Sequence, residues 1–284
     1  MGKATGIEWA DATWNPWQGC TRVSEGCANC YMYRELVHWG KDPSEVRRSS
    51  DTTFYAPLAW KGPKRIFVCS WSDFFHPHAA PWREDAWNIM LEARQHTYII
   101  LTKRPQAMLH WWAKAKVYDD GPLPHIWAGV SVENQGNAWR LDYLAQAPAA
   151  VRFVSAEPLL GPLDLRKWLW PHHQGYPIGH LCSRCVSAPR VLNWVIAGGE
   201  SGPQARPMHP DWPRSLRDQC EEAGVPFFFK QWGEWAPRAV IVASHPDYDP
   251  EGEVEMGRVG KKAAGALLDG VEYRALPLPM EAQA

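Results

Sequence analysis

Short apolar runs alternate with segments of helical periodicity along most of this 284-residue chain. The runs are rich in Val, Ile or Phe and end in polar, Gly or Pro residues, a pattern typical of strands buried on both faces of a parallel sheet. They are RIFVCS (65–70), TYIILT (97–102), HIWAGVS (125–131), VRFVSAE (151–157), NWVIAGGE (193–200) and VPFFFKQ (225–231). A first strand is predicted near ATWNPW (12–17).

Helical segments fill the intervals between these runs. They are YMYRELVHW (31–39), WREDAWNIMLEARQH (82–96), PQAMLHWWAKAKVY (105–118), NQGNAWRLDYLAQA (134–147) and HPDWPRSLRDQCEEAG (209–224), and the last ends at Gly224, a predicted C-cap. Repeated β-α alternation predicts an α/β fold with about six to seven parallel strands. A doubly wound sheet and a partial or complete (β/α) barrel both fit that number, and we predict the barrel-like form.

We predict one barrel-like domain over residues 1–284, interrupted at a few places. Residues 41–64 are polar and punctuated by Pro and Gly, and they form an excursion before the second strand of the sheet. Residues 171–190 form an insertion, and residues 238–284 a small C-terminal appendage.

Composition and charge narrow the function classes. The formal net charge is -1, so no global field draws the chain to nucleic acid or to an anionic membrane. No apolar stretch approaches the roughly 20 residues of a membrane span, and no signal peptide is evident, so we predict a cytoplasmic protein. In that reducing compartment, clustered cysteines act as metal ligands or redox groups. The 18 tryptophans serve either packing or stacking on flat ligands such as bases.

Three cysteines stand together after the first predicted strand. Cys20, Cys27 and Cys30 form a C-x6-C-x2-C pattern. Three thiolates on a four-iron cluster leave one iron open to a substrate or cofactor, whereas an electron-transfer cluster usually takes four. The alternatives are a three-thiolate zinc site completed by a His or Asp, and a structural zinc loop. Cys69 and Cys220 fall in a strand and a helix and are predicted to be core residues.

A second cysteine pair lies in the insertion. Cys182 and Cys185 form a C-x2-C, with His172, His173 and His180 nearby. Two Cys and two His can form a tetrahedral zinc site. A structural zinc ion there would stabilise an insertion that has few apolar residues to form a core. A pair of free thiols is the alternative.

Polar residues recur just after the predicted strands. They are Asp73, Lys103, Arg104, Ser131, Glu133, Asn134, Glu157, Glu200 and Lys230, with Arg206 and His209 further on. In a barrel, these positions converge on the C-terminal rim, where active sites lie. Ordinary loop, cap or ion-pair roles are the alternative for each.

The chain resembles the radical S-adenosylmethionine superfamily and, more closely, a phage-associated three-cysteine-motif family of unassigned function. The resemblance rests on TWNPWQGCTRVSEGCANCY (13–31), SDFFHP (72–77), LTKRP (101–105), GVSVENQ (129–135), SAEPLLGPL (155–163), VIAGGESGPQARPMHPDWPRSLRDQCEEAGVPFFFKQWGEW (195–235) and RVGKKAAGALLDG (258–270). Two departures stand out: the superfamily has C-x3-C-x2-C, and its Gly-Gly-Glu normally follows the second strand, where this chain has Asp73.

The resemblance implies a four-iron, four-sulfur cluster on Cys20, Cys27 and Cys30 and S-adenosylmethionine as a cofactor. Asp73 is then expected near the amine, and Lys103 or Arg104 near the carboxylate. Ser131, Glu133 and Asn134 are expected to hold ribose hydroxyls, and Glu157, Glu200 and Lys230 to act on substrate. The GGESG segment (198–202) is expected to offer free N–H groups to an anion.

The resulting expectation is an iron–sulfur, radical S-adenosylmethionine enzyme that abstracts a hydrogen atom, needs an external reductant, and acts on a nucleotide or nucleic acid. One alternative is a zinc-dependent nucleic-acid-binding or hydrolytic protein. Another is a non-catalytic iron–sulfur redox protein or the subunit of a protein partner.

Overall fold

The computed structural model describes residues 5–114, 122–170, 190–238, 240 and 256–277. It divides into two compact units. Among the described residues, the first unit comprises those within 5–131 and 140–153, and the second those within 132–139 and 154–277.

A seven-stranded parallel sheet carries the fold. The strands of the described residues are β1 Ala12–Trp14, β2 Trp17–Gln18, β3 Arg47–Arg48, β4 Arg65–Val68, β5 Thr97–Thr102, β6 Leu123–Ser131, β7 Ala149–Ala156, β8 Trp194–Gly198, β9 Phe227–Gln231, β10 Trp235–Pro237, β11 Met256–Arg258, β12 Leu267–Leu268 and β13 Val271–Glu272. The order in the sheet is β1-β4-β5-β6-β7-β8-β9. The predicted strands are confirmed, with ends shifted by a few residues.

The strand order decides between the two predicted architectures. A doubly wound sheet reverses its order at a switch point, whereas here each sheet strand neighbours the next one along the chain. Sequential order is that of a (β/α) barrel. Within the described strands, β1 and β9 are edges of the sheet, so the arrangement is a partial barrel and not a complete one.

Five helices of the described residues occupy the predicted intervals, and four further helices, each of four residues, lie outside them. They are α1 Tyr31–His38, α2 Asp51–Phe54, α3 Ala56–Ala59, α4 Ala80–Glu92, α5 Pro105–Lys114, α6 Arg140–Leu144, α7 Arg166–Leu169, α8 Asp211–Ala223 and α9 Lys261–Ala264. Gly224 ends α8 in the left-handed conformation, at φ 60°, as predicted. The helix expected over 134–147 is shorter: Gln135–Asn137 is a 3-10 turn, because Gly136 and Asn137 are poor helix formers.

In the first unit, the excursion over residues 41–64 is tied to the sheet. β3 pairs antiparallel with β2. The buried Trp14 on β1 donates its indole N–H to the Thr53 and Phe54 carbonyls, 3.1 Å away in each case. Most large buried side chains of this unit are aromatic, so packing explains the majority of its tryptophans.

In the second unit, the C-terminal segment covers the edge strand β9. Phe229 donates its backbone N–H to Tyr273, and the Trp194 indole donates to Ala275 at 2.9 Å. Arg274 forms an antiparallel bridge with Phe228. The described part of the predicted appendage therefore satisfies backbone groups that an open sheet edge would expose.

Candidate functional site

The cysteine loop, residues 19–30, follows β2 and is held at its start from two sides. Gly19 has φ +93°, and a Cβ there would lie 2.2 Å from the Glu45 carbonyl oxygen, so glycine is required. Its N–H donates to Trp71 at 3.0 Å, and its carbonyl accepts from Ser72 Oγ at 2.5 Å. The loop is therefore fixed just before its first thiol.

All three thiols of the loop are partly exposed. Burial raises the pKa of Cys20 to about 11; the Asp73 carboxylate adds to the rise, and the Arg104 guanidinium opposes it. Burial also raises the pKa of Cys30, which directly precedes α1, while the Met32 and Tyr33 N–H groups act in the lowering direction. Cys20 is therefore a thiol at neutral pH, and metal binding there would release its proton.

A buried ion pair lies beside the first thiol. Asp73 accepts four hydrogen bonds, from Thr102 Oγ1 at 2.7 Å, Phe75 N at 2.9 Å, Lys103 N at 3.0 Å and Arg104 Nη1 at 3.2 Å. The predicted acceptor for a cofactor amine thus has its oxygens engaged by the protein. Sequence did not show this, because two of the four donors are backbone groups.

Arg104 links this ion pair to the loop. Its Nη1 lies 3.6 Å from Cys20 Sγ, and its Nη2 donates to the Thr21 carbonyl and hydroxyl, both at 2.8 Å. The planar guanidinium of Arg104 donates to several acceptors at once in a fixed geometry, and a lysine ammonium does not offer that geometry. A fixed cation therefore stands against the first sulfur.

His76 supports the same loop and was not among the predicted site residues. Its Nδ1 accepts from the His78 N–H, so its Nε2 carries the proton and donates to Thr21 Oγ1 at 3.0 Å. Burial, and next the Arg104 charge, lower its pKa to about 4, so the ring is neutral at pH 7. The only sequence signal was its place in SDFFHP, after the second sheet strand.

Asn15 is a second missed residue of this region. Its Oδ1 accepts from the Trp71 N–H at 2.8 Å, and its Nδ2 donates to Ser70 Oγ at 3.0 Å. Cys69, which opens this turn, is buried as predicted but lies just past β4, at φ +60°. The turn over residues 69–72 thus carries the backbone that contacts Gly19.

The predicted ribose contacts are mostly buried. Ser131 is 4% exposed and Glu133 is fully buried, and each carbonyl accepts a hydrogen bond, from Arg140 and Leu160 respectively. Asn134 is half-buried, and its Oδ1 accepts from Asn137 at 3.2 Å. Their role in cofactor binding stays a prediction.

In the second unit, Glu157 and Lys230 form an ion pair. Lys230 Nζ lies 2.9 Å from Glu157 Oε1, and Ser155 Oγ lies 3.3 Å from Oε2. A Cβ on Gly198 would meet Glu157 Oε1 at 2.7 Å, so this glycine makes room for the carboxylate. The structure brings these two predicted catalytic residues together.

The segment Gly198–Gly202 has two of its backbone N–H groups engaged within the protein. Gly199 N donates to the Gln231 carbonyl at 2.9 Å, and Gly202 N to Glu234 Oε1 at 3.0 Å, so the expectation of N–H groups free for an anion does not hold at these two positions. Glu200 is 6% exposed and pairs with Arg206, whose Nη2 and Nε donate to its two oxygens at 2.7 and 2.9 Å. His209 Nδ1 accepts a hydrogen bond from the Asp211 N–H at 3.2 Å, at the start of α8.

The two predicted metal sites differ in whether the structure describes their residues. The candidate zinc residues Cys182, Cys185, His172, His173 and His180 lie outside the described residues. Within the described ranges, no three Cys, His, Asp or Glu side chains converge as a metal site. The three thiols fit an iron–sulfur cluster by donor chemistry, because thiolates are the usual ligands of such clusters.

Fold and loop together define an α/β protein with a three-thiol loop after the first strand of a parallel sheet. The chain belongs to the family described as Protein of unknown function (DUF5131), whose model matches residues 4–277. That description names neither radical chemistry nor phage, so both stay predictions. No curated protein and no solved structure matches the chain. Throughout the described helices, none has the length and apolarity to cross a membrane.

Proposed function

We propose that this protein is an iron–sulfur enzyme of the radical S-adenosylmethionine type. Cys20, Cys27 and Cys30 would hold a four-iron, four-sulfur cluster and leave one iron for the cofactor. When bound and supplied by an external reductant, these groups provide the one-electron chemistry that leads to hydrogen-atom abstraction. A nucleotide or nucleic acid is the proposed substrate.

The observation that carries the proposal is the cysteine loop itself. Its three thiols are partly exposed, it is held at Gly19, and Arg104 stands 3.6 Å from Cys20 Sγ. Soft thiolate ligands suit an iron–sulfur cluster, as they also suit zinc, and a set of three leaves one iron of a four-iron cluster open. A nearby guanidinium offsets the negative charge that three thiolates bring together.

We assign separate roles in positioning, cofactor binding and proton transfer to the remaining side chains. Arg104 positions Cys20, and Asp73 holds Arg104 through one hydrogen bond of 3.2 Å, while three further donors fix the Asp73 carboxylate itself. With Arg104 engaged in this way, Lys103 is the cation we assign to the cofactor carboxylate. The Glu157–Lys230 pair of the second unit is the candidate for proton transfer, because its two groups share a 2.9 Å contact.

Anaerobic reconstitution followed by iron and sulfide analysis tests the cluster. The wild-type protein should bind roughly four iron and four sulfide per chain. Replacing all three loop cysteines with Ala should abolish this, whereas Cys220→Ala, which alters a buried thiol of α8, should keep it. Unchanged iron content in the triple variant would contradict the assignment, and zinc in place of iron would favour the zinc alternative.

Calorimetric titration of the cluster-loaded protein with S-adenosylmethionine tests the second half of the proposal. We expect binding by the wild type, weakened roughly tenfold or more in Lys103→Ala, because a charge-assisted contact is lost. Absence of binding by the loaded wild type would exclude the radical-enzyme reading.

A non-catalytic cluster protein, serving redox sensing or a protein partner, is the second candidate. The observation that favours it is the engagement of Asp73, which stands after β4 where the superfamily has its Gly-Gly-Glu, by four donors of its own chain. Cleavage of S-adenosylmethionine under a strong reductant separates the two, since only the enzyme should produce it.

A further inference from the structure

A cavity of about 310 Å³ lies in the first unit, beside the start of the cysteine loop. Cations and hydroxyls dominate the polar part of its wall: Lys41, Arg47, Arg48, Ser49, Ser50 and Thr53. Cationic nitrogens and hydroxyl groups are the donors that bind phosphate oxygens.

Two acids also line this cationic cavity, and both are engaged by neighbours. Asp42 accepts from the Ser44 N–H and hydroxyl at 2.8 and 2.7 Å, and Glu45 forms an ion pair with Arg47. The Lys41 ammonium, by contrast, has no ion-pair partner among the described residues. Arg48 is likewise paired, with Asp51 at 2.6 Å, so among the described residues of the wall Lys41 is the cation that stays available for an anionic group.

A stacked pair of tryptophans lies next to the cationic cavity in sequence. Trp39 directly follows α1, is 53% exposed, and stacks on Trp71 with ring centroids 5.0 Å apart and planes at 22°. Leu36 and Lys41, which flank Trp39, both line the cavity. The buried Trp14 and Trp17 of the same unit contrast with it, because their indoles are enclosed and hydrogen-bonded. An exposed indole face suits a stacked base.

Both features border the residues that lead into the first thiol. Trp71 accepts the Gly19 N–H, and the Glu45 carbonyl packs against the Gly19 Cα. Cys20 donates its own N–H to the Pro43 carbonyl at 2.9 Å. A ligand that contacts the tryptophan pair and the cavity would therefore lie alongside the cysteine loop.

We propose that the Trp39–Trp71 pair and the cationic cavity bind a segment of single-stranded nucleic acid, with a base on the indoles and a phosphate at Lys41. The inference names a substrate class for the proposed function. That the strand is a substrate rests on the proposed function, whereas the binding of the strand to this surface does not. Because the net charge of the chain is only -1, affinity must come from this local surface and should be salt-dependent.

Fluorescence anisotropy of the full chain with a labelled single-stranded oligonucleotide, over a range of salt concentrations, tests this surface. Trp39→Ala should weaken binding roughly tenfold, through loss of stacking. Lys41→Ala should flatten the slope of log K against log salt by about 0.7, the contribution of one phosphate on a single strand. Trp139→Ala, which removes an exposed indole of the second unit, and Lys61→Ala, an exposed lysine outside the cavity wall, are matched controls that should change neither quantity.

Several outcomes would overturn the proposal. Equal binding by wild type, Trp39→Ala and Lys41→Ala would remove the surface from consideration. A mononucleotide or duplex that binds as tightly as the single strand would overturn the assignment of a strand. Because the four substituted side chains are exposed, unchanged melting temperatures should confirm that the variants are folded.

The same assay on the Cys20→Ala, Cys27→Ala, Cys30→Ala triple variant separates this inference from the proposed function. Retained oligonucleotide binding without iron supports the surface independently of the cluster. A wild-type protein that binds iron and S-adenosylmethionine but no oligonucleotide overturns the surface alone, whereas one that binds the oligonucleotide and no iron overturns the proposed function alone.

Discussion

In the first unit, the loop after β2 leaves three thiols partly exposed beside a buried Asp73–Arg104 pair. In the second unit, the segment after β8 buries its two glycines and its glutamate, and Glu200 is held by Arg206. In both regions a carboxylate that follows a strand of the parallel sheet, Asp73 after β4 and Glu200 after β8, pairs with a guanidinium. The first uses that pair to hold a reactive side chain, and the second uses it to close a backbone turn.

The difference shows why polar residues after strands are ambiguous in a sequence. A charged residue at such a place marks a functional site when its partner contacts a group with chemistry of its own, as Arg104 contacts Cys20. It marks a structural turn when its partner only returns to the same segment, as Arg206 does. Site-directed changes can test each half of this contrast.

The largest effect is expected from filling the glycine contacts of the second unit. A Cβ on Gly199 would lie 1.9 Å from the Trp232 carbonyl oxygen, and that oxygen is backbone, which cannot rotate away. Gly199→Ala should therefore lower the free energy of unfolding by about 4 kcal/mol. Gly6→Ala, with nothing within 4 Å and no positive φ, is the matched control and should change it by less than about 0.5 kcal/mol. Chemical denaturation of both variants measures this, and similar stabilities would show that the segment is not tightly closed.

The two carboxylate–guanidinium pairs, Asp73–Arg104 and Glu200–Arg206, provide the next test. Arg104→Gln leaves the buried Asp73 without its charged partner, so we expect a loss of about 3 kcal/mol in the free energy of unfolding. Arg206→Gln also leaves a buried carboxylate without its charged partner, but Arg206 itself is more exposed, so we expect a smaller loss of about 2 kcal/mol. Only the Arg104 change should also alter the alkylation rate of Cys20, measured by mass spectrometry of the metal-free protein. Equal effects of both changes on Cys20 would break the distinction between the two pairs.

His76 gives the cysteine loop a pH dependence. Its folded pKa of about 4 lies below the ordinary value of 6.5, so the unfolded chain binds the extra proton first as pH falls. The stabilisation is complete above about pH 6.5 and is lost between there and pH 4, a loss on the order of 2 kcal/mol. Thermal melts across this window should show a smaller loss in His76→Gln than in the wild type, because burial also lowers the pKa of His96 and of His125 and both proteins keep that contribution. His38→Gln, at an exposed histidine of α1, should keep the wild-type dependence, and a slope unaffected by His76→Gln would contradict the mechanism.

The sequence predicted the sheet well, because its strands are short apolar runs between helical segments and local pattern decides them. It also placed Cys20, Cys27, Cys30, Asp73 and Arg104 at the ends of the right elements. It could not predict that Asp73 binds Arg104, or that Thr21 and His76 complete the network, because these contacts join residues far apart in the chain. The closed backbone at Gly199 was equally hidden, since a glycine in a flexible loop and one pressed against Trp232 look alike in sequence.

The smallest effect is expected at the surface of the second unit, where Asp269 pairs with Arg214 and Arg217. Asp269 Oδ1 lies 2.7 Å from Arg214 Nη2, and hydrogen bonding from Arg214 holds the pKa of Asp269 below its usual value of 3.8, against the raising effect of burial. Asp269 has φ +53°, a conformation that asparagine also tolerates, so Asp269→Asn removes the charge and keeps the turn. The expected loss is under about 1 kcal/mol near pH 7, and salt should screen it. Because the folded pKa is depressed, the contribution is present above pH 3.8 and disappears as pH falls through the folded value, so wild type and variant should converge in stability at acid pH. A difference in stability between wild type and variant that persists at acid pH or in high salt would mean that Asp269 acts through the geometry of the turn and not through its charge.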